Sequence, residues 1–167
     1  MSIVSDIAES YRAPGRVLAR KLAAGVREDR ALAQLMLACF LIFVSEWPVL
    51  ARAAHLDNSV SFDQRLGGAL MATLFILPPL AYGGAAIAHL AARALGGRGG
   101  WYGARLALFW SMLAISPLML LNGLVAGIIG PGVAARALGW VVAAAFAWLW
   151  LGGLWVVERG TEGRTAR

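Results

Sequence analysis

The chain has 167 residues, 60% of them apolar and only 14% charged, with a mean hydropathy of +0.70, a balance that excludes an ordinary soluble domain. The net charge of +6 does not mark a nucleic-acid binder, because the basic residues stand at the ends of apolar runs and not on a solvated face among stacking aromatics. The one cysteine, Cys39, lies inside an apolar run, which excludes an internal disulfide and a cysteine metal centre.

Asp6, Glu9, Arg12 and Pro14 occupy the region where a cleaved signal would need an apolar core, so the first span is expected to act as its own signal. Residues 3 to 12 place Ile3, Val4, Ile7, Ala8 and Tyr11 on one helical face, with Ser5, Asp6, Glu9 and Ser10 opposite. Ala13-Pro14-Gly15 breaks this helix. The next stretch, RVLARKLAAGVRED, interleaves Val17, Leu18, Leu22 and Val26 with Arg16, Arg20, Lys21 and Arg27. Residues 1–30 thus form a basic amphipathic segment with two possible places. It lies in the headgroup layer, drawn to anionic lipid, or it packs on the protein's own bundle.

The fold class that follows is all-α, a polytopic transmembrane helical bundle occupying residues 31–157. The first span, Ala31 to Leu50, has the ~20 residues a hydrocarbon core requires, and a polar connection, RAAHLDNSVSFDQR, follows it. The second, about 66–95, carries Pro78 and Pro79 near its middle, where two missing backbone donors predict a kink. Residues 106–135 carry no charge. Two crossings would need about 40 residues and a turn, so one span is expected over about 104–129, bent near Pro117 and closed by Gly130-Pro131-Gly132. Gly123 and Gly127 form a small-xxx-small pair suited to helix packing. The last span, about 133–157, is rich in tryptophan, and residues 158–167 form a short tail.

With four spans, twelve basic residues, Arg93, Arg98 and Arg105 among them, fall on one side and only Arg52, Arg65 and Arg136 on the other. The positive-inside rule then places both termini and the glycine-rich turn at 96–103 in the cytoplasm. A fifth span would export the arginine-bearing tail. Trp47 and Trp140 fall towards the outer interface, Trp101 and Trp155 towards the inner one. Arginine supplies all the basic residues but Lys21, and Ala and Gly abound, as GC-rich bacterial coding produces.

Ionisable residues inside a membrane are the natural functional candidates. Glu46 lies about 22 Å along the first span and Asn122 about 27 Å along the third, at 1.5 Å per residue, so both belong to the outer half and a hydrogen bond between them is expected. The sharper alternative makes Glu46 a proton or cation site. His89 is expected as a capping or interfacial residue, and His55 falls on the opposite side, so no two-histidine metal site forms. GGRGGWYG follows an apolar helix and lacks Gly-Lys-Ser/Thr, so it is no phosphate loop. No nucleophile elbow or triad set is present. Neither catalytic residue, metal nor cofactor is expected. His89, Arg93, Arg98, Trp101 and Arg105 instead mark a turn that could meet a partner or lipid headgroups.

The YRAP of residues 11–14 ahead of a basic amphipathic stretch, the span end ARALGGRGGWYGARLALFW and the mid-span Pro117 together resemble the bacterial branch of the Yip family, the Ypt- or Rab-GTPase-interacting membrane proteins. The resemblance runs from Tyr11 to Glu158. It implies a cytosolic N-terminal region and about five spans, one more than is expected here, and it brings no catalytic residue. Eukaryotic members are associated with small-GTPase recruitment and vesicle traffic. Two functions are open. The first is a non-enzymatic protein of a bacterial inner membrane, acting through anionic lipid, a membrane-protein partner or a homo-oligomer. The second is a small oligomeric transporter or channel using Glu46 and Asn122, with the proline kinks as moving parts.

Overall fold

The computed structural model describes residues 3–159; the rest of the expected tail, with Arg164 and Arg167, lies outside them. Six helices make up the described chain: α1 (Ile3–Arg12), α2 (Pro14–Ala23), α3 (Glu28–Leu56), α4 (Phe62–Ala94), α5 (Trp101–Ile128) and α6 (Val133–Arg159). The last four are each long and apolar enough to cross a membrane. The protein is an integral membrane protein built as a polytopic helical bundle, and residues 104–128 belong to a single helix.

The bundle is organised around α5. From Leu106 to Ser116 every residue of this helix is buried, wrapped most extensively by α3, then by α6 and α4. Outside it the large apolar side chains of Phe40, Phe75, Ile87, Leu124 and Trp148 face outward, as lipid-facing positions should. Trp47 and Trp140 are exposed at one end of the bundle, and Trp101 and Trp155 at the other. The latter end carries the N-terminal helices and Arg20, Lys21, Arg27, Arg105 and Arg159, and is called the basic end below.

Where α3 crosses α5, glycine sets the separation. A Cβ on Gly123 would overlap the carbonyl of Ser45, and one on Gly127 would overlap Pro48. Lipid gives no hydrophobic drive for helix association, so backbone approach of this kind supplies the packing energy. Arg52 then reaches the carbonyls of Gly127 and Ile128 at 3.4 and 3.1 Å, where a cation suits the C-terminal dipole. This contact carries α3 on to Leu56, six residues past the expected end of the span. The connection that remains is short, and Ser61 and Gln64 start α4 with a reciprocal capping box.

Pro78 and Pro79 do not break α4. The chain winds as a π-helix over Met71–Ile76 immediately before them, one more residue per hydrogen bond, which lets the helix pass two positions lacking a donor. Pro117 is likewise accommodated within one continuous helix. Its ring withholds a donor from the Leu113 carbonyl, and the Ser116 hydroxyl donates there instead at 2.8 Å.

Replacing Gly123 or Gly127 with leucine should separate α3 from α5 and lower the melting temperature in detergent, by the 1–3 kcal/mol or more of an overpacked core. Gly139→Leu, where a Cβ meets nothing within 4 Å, should leave it unchanged.

Candidate functional site

Two polar assemblies build the basic end. In the first, α4 ends in a Schellman motif: Gly96 takes φ +90°, the Gly97 N–H donates to the Ala92 carbonyl at 2.8 Å, and the Gly96 N–H to Arg93 at 3.0 Å. The turn then closes on Glu158 near the end of α6. Glu158 Oε1 pairs with His89 Nδ1 at 2.8 Å, Oε2 accepts from the Gly99 N–H at 2.8 Å, and its backbone carbonyl accepts from the Arg98 N–H at 3.0 Å. His89 is 1% exposed and Glu158 7%, and Trp101 covers the imidazole at 4.5 Å between ring centroids. Glycine is required at 97 and 99 because a Cβ at either would strike the Glu158 carboxylate.

The second assembly fastens α1 and α2. The Tyr11 hydroxyl donates to the carbonyl of Ala114 at 2.8 Å, one residue beyond the carbonyl that Pro117 deprives of its donor. Burial pushes the Tyr11 pKa up, keeping the hydroxyl a donor. Trp110 Nε1 donates to Ser10 Oγ at 2.9 Å, and Ser10 Oγ to the Asp6 carbonyl at 2.7 Å. The Asp6 carboxylate meets Arg20 at 2.6 Å and Lys21 at 3.1 Å, Glu9 meets Arg20 at 3.0 Å, and the Lys21 ammonium lies 3.7 Å from the Trp110 ring centroid. Burial raises the Asp6 pKa, but Lys21 and Arg20 outweigh it and hold the carboxyl below its ordinary value. Pro14 and Leu18 pack on Gly152 and Gly153 of α6. Of the two places open to the amphipathic segment, the structure shows packing on the protein's own bundle.

The residues of the turn fall into different roles. His89 is buried in the Glu158 pair and caps nothing. Trp101 is its cover, and Arg105 is ion-paired with Glu28. Arg93 and Arg98 are exposed.

Deeper in the bundle, Glu46 and Asn122 stand at the same level, next to the Ser45–Gly123 contact, yet no hydrogen bond joins them. Asn122 Oδ1 is buried without a partner. Glu46 instead lines a cavity of about 720 Å³ between α3, α4 and α6, floored by Leu108, Met112 and Ile115 of α5, which also takes in Thr73 of the π-wound turn. A second cavity, about 630 Å³, opens between the basic-end halves of α4 and α6, and Trp150 lines both. Among the described residues, no three metal-type ligands gather.

The family profile of the Yip1 domain matches residues 8–166, nearly the whole chain. The chain belongs to the Yip1 family. No curated protein and no solved structure matched it. In this Yip1 chain, the segments carrying the resemblance are joined in space: Tyr11 of the YRAP stretch bonds beside Pro117, and Pro14 packs on α6. The glycine-rich turn clasps Glu158.

Sequence reasoning missed Glu158, Ser10 and Trp110. Glu158 reads as the first residue of a polar tail, and its one available signal is that it follows directly on the apolar run LWVV.

Removing the clasp with Glu158→Ala leaves the buried His89 Nδ1 and the Gly99 N–H unpartnered. A loss of about 3 kcal/mol, the usual cost of breaking a buried pair, should appear as a lower melting temperature, with Glu158→Gln milder. The Asp6 cluster has its own pH signature. Because the folded pKa lies below the unfolded one, its stabilisation is complete above the ordinary carboxylate value and is lost as pH falls through the lowered one. Hydrogen exchange of residues 3–23 should accelerate over that acidic window, and Asp6→Asn should exchange fast at neutral pH.

Proposed function

We propose that this Yip1-family protein is a non-enzymatic scaffold or organiser that binds protein or lipid partners at its basic end. The observation that carries this reading is the pattern of charge pairing there. The acids Asp6, Glu9, Glu28 and Glu158 are all engaged internally, fastening α1, α2, α5 and the turn, while Arg12, Arg16 and Arg93 stay exposed. The outcome is a fixed surface of positive charge, suited to anionic headgroups or an acidic partner. The twelve-to-three asymmetry of basic residues supports a cytoplasmic position for this end and for both termini, and the arginine-, alanine- and glycine-rich composition suits the inner membrane of a bacterium. Small residues exposed on α6, such as Ala134, Ala143 and Ala144, suit a membrane-protein partner or a homo-oligomer.

A transporter or channel is the second reading, favoured by one observation: Glu46 faces a cavity shared with the π-wound turn, and such turns often mark functional positions. One pair of measurements separates the two. A photoreactive residue in place of Arg98 should capture a discrete protein from native membranes, and capture of lipid alone would overturn the protein-scaffold half. In liposomes the parent should pass no proton or cation current. A current that Glu46→Gln abolishes would replace the scaffold reading with the transporter one.

A further inference from the structure

We infer that the groove between the basic-end halves of α4 and α6 holds one acyl chain of an acidic phospholipid from the leaflet at that end. This rests on the scaffold reading above and specifies its lipid partner. α4 and α6 both pack on α5 and, apart from the His89–Glu158 pair, stay apart beside it, because α4 presents only Ala88, Ala91 and Ala92 where Leu151, Leu154 and Trp155 of α6 stand opposite. The space left, about 630 Å³, is lined mostly by apolar side chains, with Glu158 and Arg159 where α6 ends. Along the alanine, leucine and tryptophan walls water gains no hydrogen bonds, and an unfilled void forfeits the dispersion contacts of that lining. An alkyl chain makes those contacts.

The dimensions fit one leaflet. From Trp150, the inner wall, to Arg159 at the mouth is nine residues of helix, about 13 Å at 1.5 Å per residue, close to half of the ~30 Å hydrocarbon core. Trp150 also lines the Glu46 cavity, so its side chain stands between the two spaces and a chain seated on it ends there.

Charge at the mouth selects the headgroup. The Glu158 carboxylate lines the groove, but both its oxygens are spent, one on His89 and one on the Gly99 N–H. The groove's other charged residue is Arg159, exposed and held over the Trp155 ring at 3.5 Å, an aromatic–cation pair suited to the interface. Arg93, exposed on the last turn of α4 and next in sequence to the groove residue Ala92, adds a second positive charge at this end. Two guanidiniums beside a carboxylate whose oxygens are both already hydrogen-bonded favour a phosphodiester without a balancing ammonium.

The test uses the full chain in nanodiscs of phosphatidylcholine containing a trace of phosphatidylglycerol with a diazirine on its acyl chain, the crosslinks being mapped by mass spectrometry. Labels should concentrate on residues 88–97 and 150–159. Unlabelled phosphatidylglycerol should compete them away and phosphatidylcholine should not. Ala91→Trp, filling the groove, should cut groove labelling at least tenfold, while Leu90→Trp, exposed and outside it, should not. Arg159→Gln should lower the preference for phosphatidylglycerol about fivefold, the value of one basic residue at an anionic surface. Labels spread evenly over the exposed faces of α3 to α6, equal competition by phosphatidylcholine, or a groove shielded only in dimeric nanodiscs would each overturn the proposal. The competition arm needs no variant, so a misfolding substitution does not remove the test. A partner captured from the Arg98 position without groove labelling would leave the scaffold reading standing and sink this one.

Discussion

Lipid offers neither water to satisfy a polar group nor a hydrophobic force to press one helix on another. Every polar contact of the bundle must therefore be made within the protein, and every close helix pair must be allowed by shape. Both demands meet on α5. At the far end it approaches α3 through Gly123 and Gly127 with nothing but backbone and proline between them. At the basic end its Trp110 and the Ala114 carbonyl are the anchors for helices that precede the first span by many residues.

Proline shows how the demand is met locally. Each proline inside a span withdraws a donor that no solvent replaces. In α5 a serine hydroxyl takes up the orphan carbonyl, and in α4 the winding itself changes. The Tyr11 bond one residue further along α5 ties the docking of the N-terminal segment to the same weakened turn.

The clasp at Glu158 serves a different end. It brings the turn between α4 and α5 against the end of α6 and occupies both carboxylate oxygens of the acid that lines the groove. Internal pairing of acids with chosen basic residues is how a chain of net charge +6 both holds its amphipathic helices and leaves arginines facing outward. Fold stability and surface charge come from one distribution of residues.

Apolar run length and the placement of arginine sufficed to determine the all-helical class, the four spans and the single helix through Pro117, because both are local quantities set against a fixed membrane thickness. The small-xxx-small pair at Gly123 and Gly127 was legible for the same reason: only glycine permits backbone contact. Composition could not say whether α1 and α2 lie on lipid or on protein, since both surfaces reward the same amphipathic pattern. Only the tertiary structure decided that, through contacts spanning about a hundred residues: Tyr11 with Ala114 and Ser10 with Trp110. It also separated Glu46 from Asn122, which share a depth but not a face, and joined His89 to Glu158 across 69 positions. Depth along a helix can be counted in residues, whereas the direction in which a side chain points across the bundle depends on how all four spans rotate against one another.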